Sequence, residues 1–117
     1  MTAACFQTLK NRGDFLAAAK GRRVNAGPFQ LQCRANSHDF ARIGLTVTKK
    51  LGDSPARNRI RRRLRAAAKR ETSCFTGGFD YVLVARPAAM TLGFEALCAA
   101  LRGAAGKAAS VVISKSA

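Results

Sequence analysis

The segment Arg57-Asn58-Arg59-Ile60-Arg61-Arg62-Arg63-Leu64-Arg65 holds six arginines in nine residues, and it constrains the fold of this chain more than any other stretch. Asp53 or Ser54 can cap a helix, and Pro55 suits the first helical position, where its missing N–H costs nothing. A helix is therefore predicted from Pro55 to about Arg70. At about 100° per residue, Ala56, Ile60, Leu64, Ala67 and Ala68 share an apolar arc. Asn58, Arg59, Arg61, Arg62, Arg63, Arg65, Lys69 and Arg70 lie opposite, and Arg57 falls at the boundary, within reach of a neighbouring sheet. Like charges at i,i+4, such as Arg57/Arg61 and Arg61/Arg65, oppose helix formation by a few tenths of a kcal/mol per pair. No acidic residue interrupts the run before Glu71. Solvated helix faces ordinarily mix signs, so this one points to phosphate, which the planar, forked guanidinium group suits better than an ammonium does.

The remaining charge agrees. Twenty-one Lys and Arg against six Asp and Glu give a formal charge of +15 in 117 residues. That self-repulsion is relieved by a polyanionic partner, with nucleic acid the first candidate and an anionic membrane surface the second. The 48% of hydrophobic residues argues against a disordered polybasic tail. The length suits one domain over residues 1–117, with an ordered core at about 9–105 and frayed termini.

Cys5, Cys33, Cys74 and Cys98 form no CxxC pair, and His38 is near none of them in sequence. They read as small hydrophobes in a reducing cytosol, with neither a zinc site nor a disulfide framework. The first 30 residues lack the apolar stretch of a signal peptide, and no segment approaches the roughly 20 apolar residues of a membrane span. A cytoplasmic protein without a membrane partner is expected.

Outside the arginine-rich helix, a short helix is predicted from about Asn11 to Lys20, and Gly27-Pro28 reads as a turn. Phe29 to Arg34 and Arg42 to Thr48 alternate apolar and polar residues with period two. Joined by the polar stretch 35–39, they are expected to pair as an antiparallel hairpin. One face would bury Phe29, Leu31, Cys33, Ile43, Leu45 and Val47. The other would show Gln30, Gln32, Arg34, Arg42, Thr46 and Thr48, with no carboxylate, as suits an anionic strand; a merely solvated sheet face is the alternative. Asp80 to Ala85 is a continuous apolar run, expected of a strand covered on both faces. Thr91 is the predicted cap of a last helix with Phe94, Leu97, Cys98 and Leu101 on its core side, and the tail after about Gly106 is expected to fray.

Gly44-Leu45-Thr46-Val47-Thr48-Lys49-Lys50, a turn at Gly52, and the helix opening Arg57-Asn58-Arg59 together resemble the signature of the bacterial ribonuclease P protein family. Asp14-Phe15 in the early helix and Val82-Leu83-Val84-Ala85-Arg86 in the later strand are further matches, so the resemblance covers roughly residues 9 to 105. It implies an α+β fold, a two-layer α/β sandwich in the order α-β-β-β-α-β-α, with its first short strand near Arg23-Val24. It also implies a left-handed βαβ crossover, against the general right-handed rule.

In function, the resemblance implies a protein cofactor of a ribozyme. Ribonuclease P RNA performs the Mg²⁺-assisted hydrolysis that removes the 5′ leader of precursor tRNA, and the protein itself carries no catalytic residue and no inferred metal. Lys49, Lys50, Arg57, Asn58, Arg59, Arg61, Arg62 and Arg65 match the surface that faces the catalytic RNA. Phe15, Gln30, Gln32, Thr46 and Thr48, with Arg57 and Asn58, match the cleft that holds the single-stranded leader. Some family members carry further aromatics at the places of Ala19 and Gln32. Base stacking is worth about 1–3 kcal/mol per base, so the glutamines would have to substitute by hydrogen bonding.

Other classes are less well served. A protein nuclease needs a general base or gathered carboxylates, whereas Asp14, Asp39, Asp53, Glu71, Asp80, Glu95 and His38 are scattered. Membrane insertion is poorly served by Ile60 and Leu64 among alanines. DNA is not ruled out by charge, although the extended polar sheet face fits a single strand better than a duplex groove. A structural RNA-binding protein, for example a ribosomal one, shares the charge and size and is the leading alternative.

Overall fold

In a computed structural model of the chain, the backbone is described over residues 6–116 and side-chain burial over residues 7–108. The elements run β1 (Phe6–Thr8), α1 (Arg12–Ala19), β2 (Arg22–Asn25), β3 (Phe29–Ala35), β4 (Ala41–Thr46), α2 (Ser54–Arg70), β5 (Phe79–Ala85), α3 (Ala88–Thr91) and α4 (Phe94–Ser116). Single 3-10 turns at Lys49–Leu51 and Thr72–Cys74 bracket α2. The expected α+β order is present, with a strand added in front and the short α3 inserted before the last helix. Thr91 ends α3 and caps nothing; α4 opens after Gly93, whose carbonyl accepts from Leu97 N–H at 2.9 Å.

The five strands form one sheet in the order β1-β4-β5-β3-β2. This corrects the expected hairpin. β3 and β4 are not neighbours, because β5 lies between them, antiparallel to β3 and parallel to β4. The physical reason is burial. Every residue of β5 but Val84 is buried, and so apolar a strand is stable only at the centre, flanked on both edges. β1 is too short to have left a periodic signal; it pairs parallel with β4 at the edge.

One face of the sheet carries the main core. Phe29, Leu31, Cys33, Ile43, Tyr81 and Leu83 meet Ile60 and Leu64 of α2 and Leu97, Cys98 and Leu101 of α4, all buried. Full burial of side chains such as Ile60 and Leu64 is worth about 1.5–3 kcal/mol each. α4 runs past Gly106. It continues to Ser116, and Ala104, Ala105 and Ala108 are buried, small enough for the helix to lie close on β2 and β3. Cys33 and Cys98 are buried free thiols and Cys74 is half-buried, while Cys5 lies outside the described residues. Burial, and secondarily Asp80, pushes the Cys33 thiol up to about 12.

The opposite face is only partly covered, by α1, whose N-cap Asn11 accepts from Gly13 N–H at 2.8 Å. Leu9, Ala18 and Val82 form a second small core there with Phe15 and Val84. This is the face expected to be free of carboxylates, and that expectation fails. Asp80, read as the first residue of an apolar run, is on it, opposite Arg34 on one side and Arg42 on the other, and is buried. Its charge is matched at once, since Arg42 grips it through two hydrogen bonds of 2.7 Å.

Candidate nucleic-acid interface

α2 forms where the sequence places it, and its start is fixed locally: the Asp53 carboxylate accepts from Ala56 N–H at 3.0 Å, and Pro55 stands in the first turn. Ile60, Leu64, Ala67 and Ala68 face the sheet and α4, so the cations must lie on the rest of the cylinder. They divide into three rows. Arg61, Arg65 and Lys69, spaced i, i+4, i+8, run along the flank toward the β1–β4 edge. Arg59 and Arg62 stand exposed on the crest. Arg63 and Arg70, seven residues apart, occupy the flank toward α3 and α4.

The last row is structural. Arg63 Nε donates to the Ala89 carbonyl at 3.0 Å, and its Nη2 donates to the Leu92 carbonyl. Arg70 grips the Glu95 carboxylate through both terminal nitrogens, one at 2.9 Å, and lies over the Phe94 ring. That contact holds Glu95 below the usual carboxylate range and Arg70 above its own ordinary value. The sequence placed both arginines on the outward arc; instead they tie α2 to the C-terminal elements.

The other cations of the helix are differently placed. Arg57 Nη2 donates to Ser54 Oγ at 3.0 Å, and Arg61 Nη1 donates to Asn58 Oδ1 at 2.8 Å. Among the described residues, no carboxylate lies within ion-pair distance of Arg57, Arg59, Arg61, Arg62 or Arg65. Five of the six acidic groups are engaged elsewhere: Asp14 and Asp80 on Arg42, Glu71 on Arg70 and Arg102, Glu95 on Arg70, Asp53 at the helix cap. Lys49 and Lys50 are exposed on the turn just before α2, and Gly52 follows at φ +134°, a conformation that favours glycine. The eight residues expected to face RNA thus fall on one helix and the turn that leads into it.

A second polar surface lies on the α1 side of the sheet. Register sets Asn25, Gln30, Val84 and Thr46 in one row across β2, β3, β5 and β4, and Arg23, Gln32, Val82 and Gly44 in the next. The side chains are joined along it. Gln32 donates to Gln30 at 3.2 Å, Gln30 donates to Asn25 Oδ1 at 3.3 Å, and Arg86 donates to the same oxygen at 2.8 Å. Thr48 is exposed just past the end of β4. Phe15 comes from above: its ring lies on Gly44, so close that a Cβ there would sit 2.6 Å from two ring carbons.

The structure therefore brings Gln30, Gln32, Thr46 and Phe15 to one face. Asn25 and Arg86 belong to the same chain of hydrogen bonds and were missed by the sequence reading. Arg86 was read only as the end of a strand and Asn25 was assigned no role; the pairing of β2 with β3 and of β3 with β5 puts them beside the glutamines. Arg42 was placed on the polar face correctly, but its guanidinium is turned to Asp80 and Asp14. Hydrogen bonding to Asp80 holds it above its ordinary value, with burial acting the other way.

Comparison with known proteins now decides the family. A family model described as Ribonuclease P matches residues 5–109. The chain belongs to the ribonuclease P protein family. Among its curated relatives, the ribonuclease P protein component of Ruegeria pomeroyi is 45% identical over 83 residues, covering 68% of this chain and 66% of the relative, just under two thirds of that protein. The component of Gluconacetobacter diazotrophicus is 43% identical over 105 residues, covering 86% of this chain and 89% of the relative. Among solved structures, the ribonuclease P protein of Thermotoga maritima superposes with a TM-score of 0.76 at 25% identity, covering 86% of this chain and 96% of that one. That of Staphylococcus aureus gives 0.72 at 28% identity, covering 83% and 90%.

Both curated relatives bear the name ribonuclease P protein component. Among the described residues no three His, Cys, Asp or Glu side chains gather to hold a metal ion. Asp14 and Asp80, the carboxylates nearest the polar sheet face, are already bound by Arg42 and fit no magnesium cage. No helix among the described residues is long and apolar enough to cross a membrane.

Proposed function

We propose that this protein is the RNA-binding subunit of a ribonuclease P holoenzyme. In this reading it holds the catalytic RNA on α2 and the preceding lysines, and the single-stranded 5′ leader of precursor tRNA on the polar sheet face. The observation that carries it is the unbalanced face of α2: among the described residues, Arg57, Arg59, Arg61, Arg62 and Arg65 have no carboxylate partner, and the exposed Lys49 and Lys50 prolong the same surface. Such a surface lowers its own repulsion by taking up anions, and the phosphates of an RNA supply them in a row. The leader assignment is supported by the hydrogen-bonded Gln32–Gln30–Asn25–Arg86 chain, which presents amide groups in a row with one ring, Phe15, beside it.

The protein's own residues bind and orient. Arginines fix the RNA by its backbone; the amides and Phe15 align the leader; no side chain is assigned a proton transfer. Magnesium held by the RNA would supply the hydrolytic chemistry, and the protein's side chains would position the strand on which it acts. A product of binding alone is still catalysis, because a leader held in place converts a second-order encounter into a positioned one.

The test is cleavage of a 5′-extended precursor tRNA by a bacterial ribonuclease P RNA at low Mg²⁺, with and without this protein. Stimulation that Arg59→Ala/Arg62→Ala abolishes, with no cleavage by protein alone, is the expected result. Tight RNA binding without stimulation would move the protein to the structural RNA-binding class.

A further inference from the structure

We infer that the cleft between the α2 flank and the β1–β4 edge receives one unstacked nucleobase of the RNA that lies along α2. The inference rests on the function proposed above and adds a base-binding subsite to a surface otherwise read as phosphate-binding alone.

The cleft is about 340 Å³, the size of a small-ligand site and far too small for a duplex. Its lining is largely apolar and wraps the sheet edge, with Leu9 and Phe15 from the α1 side and Ile43, Leu45 and Ala68 from the α2 side. Its rim carries Arg61, Arg65 and Lys69, and no acidic residue lines it. An apolar cleft beside a row of cations matches the two parts of a nucleotide, a π-faced base and an anionic phosphate. A free metabolite would meet the same chemistry. The rim cations, however, are continuous along α2 with Arg59 and Arg62, so an RNA docked on the crest already has its backbone at the mouth of the cleft.

The sheet edge offers hydrogen bonds as well. β1 pairs with β4 only as far as Thr8 opposite Ile43, and Leu9 N–H to the Ile43 carbonyl, at 2.8 Å, is the last rung. Backbone groups of a strand alternate between its two edges, so Leu45 presents its N–H and C=O on the same edge as Ile43, past the end of β1. One donor and one acceptor, side by side in a cleft, are what the edge of a base requires. Thr8, exposed at the rim, adds a hydroxyl.

The subsite is separable from phosphate binding by experiment. In the holoenzyme assembled with ribonuclease P RNA, Thr8→Trp would fill the cleft from an exposed edge-strand position that accepts aromatics. It removes no cation. We expect roughly tenfold weaker binding with an unchanged slope of log affinity against log salt. Arg65→Ala, in contrast, should make that slope shallower by about one phosphate's worth. Dimethyl sulfate probing of the RNA should show one unpaired nucleotide protected by the wild type and re-exposed by Thr8→Trp, with other protein-dependent protections kept. Leu45→Ala, which strips apolar lining and leaves the rim, should re-expose the same nucleotide; thermal melts of both variants establish that they are folded. Wild-type affinity together with an unaltered modification pattern in folded Thr8→Trp overturns the subsite and leaves the proposed function standing. Failure of the wild type to bind the RNA overturns both.

Discussion

Arg42 of β4 embraces Asp80 of β5 with two hydrogen bonds of 2.7 Å, and a third nitrogen of the same guanidinium reaches Asp14 of α1 at 3.3 Å. One arginine thus joins two parallel strands and the helix above them. The pair is mostly out of water, with side-chain exposures of 20% for Arg42 and 7% for Asp80, so removing one partner strands a charge. Arg42→Leu is expected to lower stability by roughly 3 kcal/mol, measured by urea unfolding. Arg42→Leu/Asp80→Leu should recover a good part of that loss; a double variant as unstable as the sum of the singles would contradict the account.

The contact of Phe15 with Gly44 predicts a coupling of another kind. Gly44→Ala puts a methyl 2.6 Å from two ring carbons and must push Phe15, and with it α1, off the sheet. A cost of about 1–3 kcal/mol is expected. Phe15→Leu in the same chain should relieve much of it, so the two substitutions will be far from additive in denaturation experiments.

Neighbouring arginines of α2 should behave as opposites. Arg63→Ala removes a charged donor from two backbone carbonyls and is expected to cost about 1.5–3 kcal/mol of stability, with RNA affinity little changed in the folded fraction. Arg62→Ala should leave the melting temperature in place and weaken RNA binding. Equal effects on both observables would mean that the three-row reading of the helix is wrong.

Binding as a whole should be steeply salt-dependent. With about six phosphates neutralised, log affinity is expected to fall against log salt with a slope of roughly −4 to −5. Titrating potassium chloride in a filter-binding assay measures it, and a slope near −1 is incompatible with an arginine helix that reads phosphates.

Glu95 gives a pH signature. Its carboxyl is held below the ordinary value of 4.5, first by the hydrogen bond from Arg70 and then by that residue's charge. A lowered folded-state value means that the clamp between α2 and α4 is fully formed above the ordinary carboxylate range and is lost as pH falls through the folded value. An NMR titration of Glu95 should therefore give a midpoint under 4.5, and Arg70→Ala should move it upward. The same midpoint in both proteins would remove Arg70 as the cause.

What the sequence disclosed and what it withheld follow one physical division. α2 was legible almost to the residue because its cap, its proline and its apolar arc are local. The alternation in β3 and β4 gave the two faces correctly for the same reason. Strand order was not legible, because the place of β5 is decided by contacts between residues distant in the chain, and the polar link after β3 suggests a hairpin that the central strand forecloses. Asp80 hid in an apolar run, and nothing in its own neighbourhood names Arg42 as its partner. Arg63 is the near miss: three positions beyond Ile60 it flanks the apolar arc, and that position is the signal for an arginine turned inward to carbonyls.

The central position of β5 has a consequence for how the chain is made. Until residues 79–85 leave the ribosome, β4 and β3 have no common neighbour, and the core on which the apolar stripe of α2 rests lacks its central strand. Local helix can form early, but the sheet closes only when this late segment threads between strands synthesised long before it, a non-local step that is intrinsically slow. Nascent chains halted before Phe79 should accordingly remain sensitive to protease, and the arginine face acquires its fixed shape only once β5 is in place.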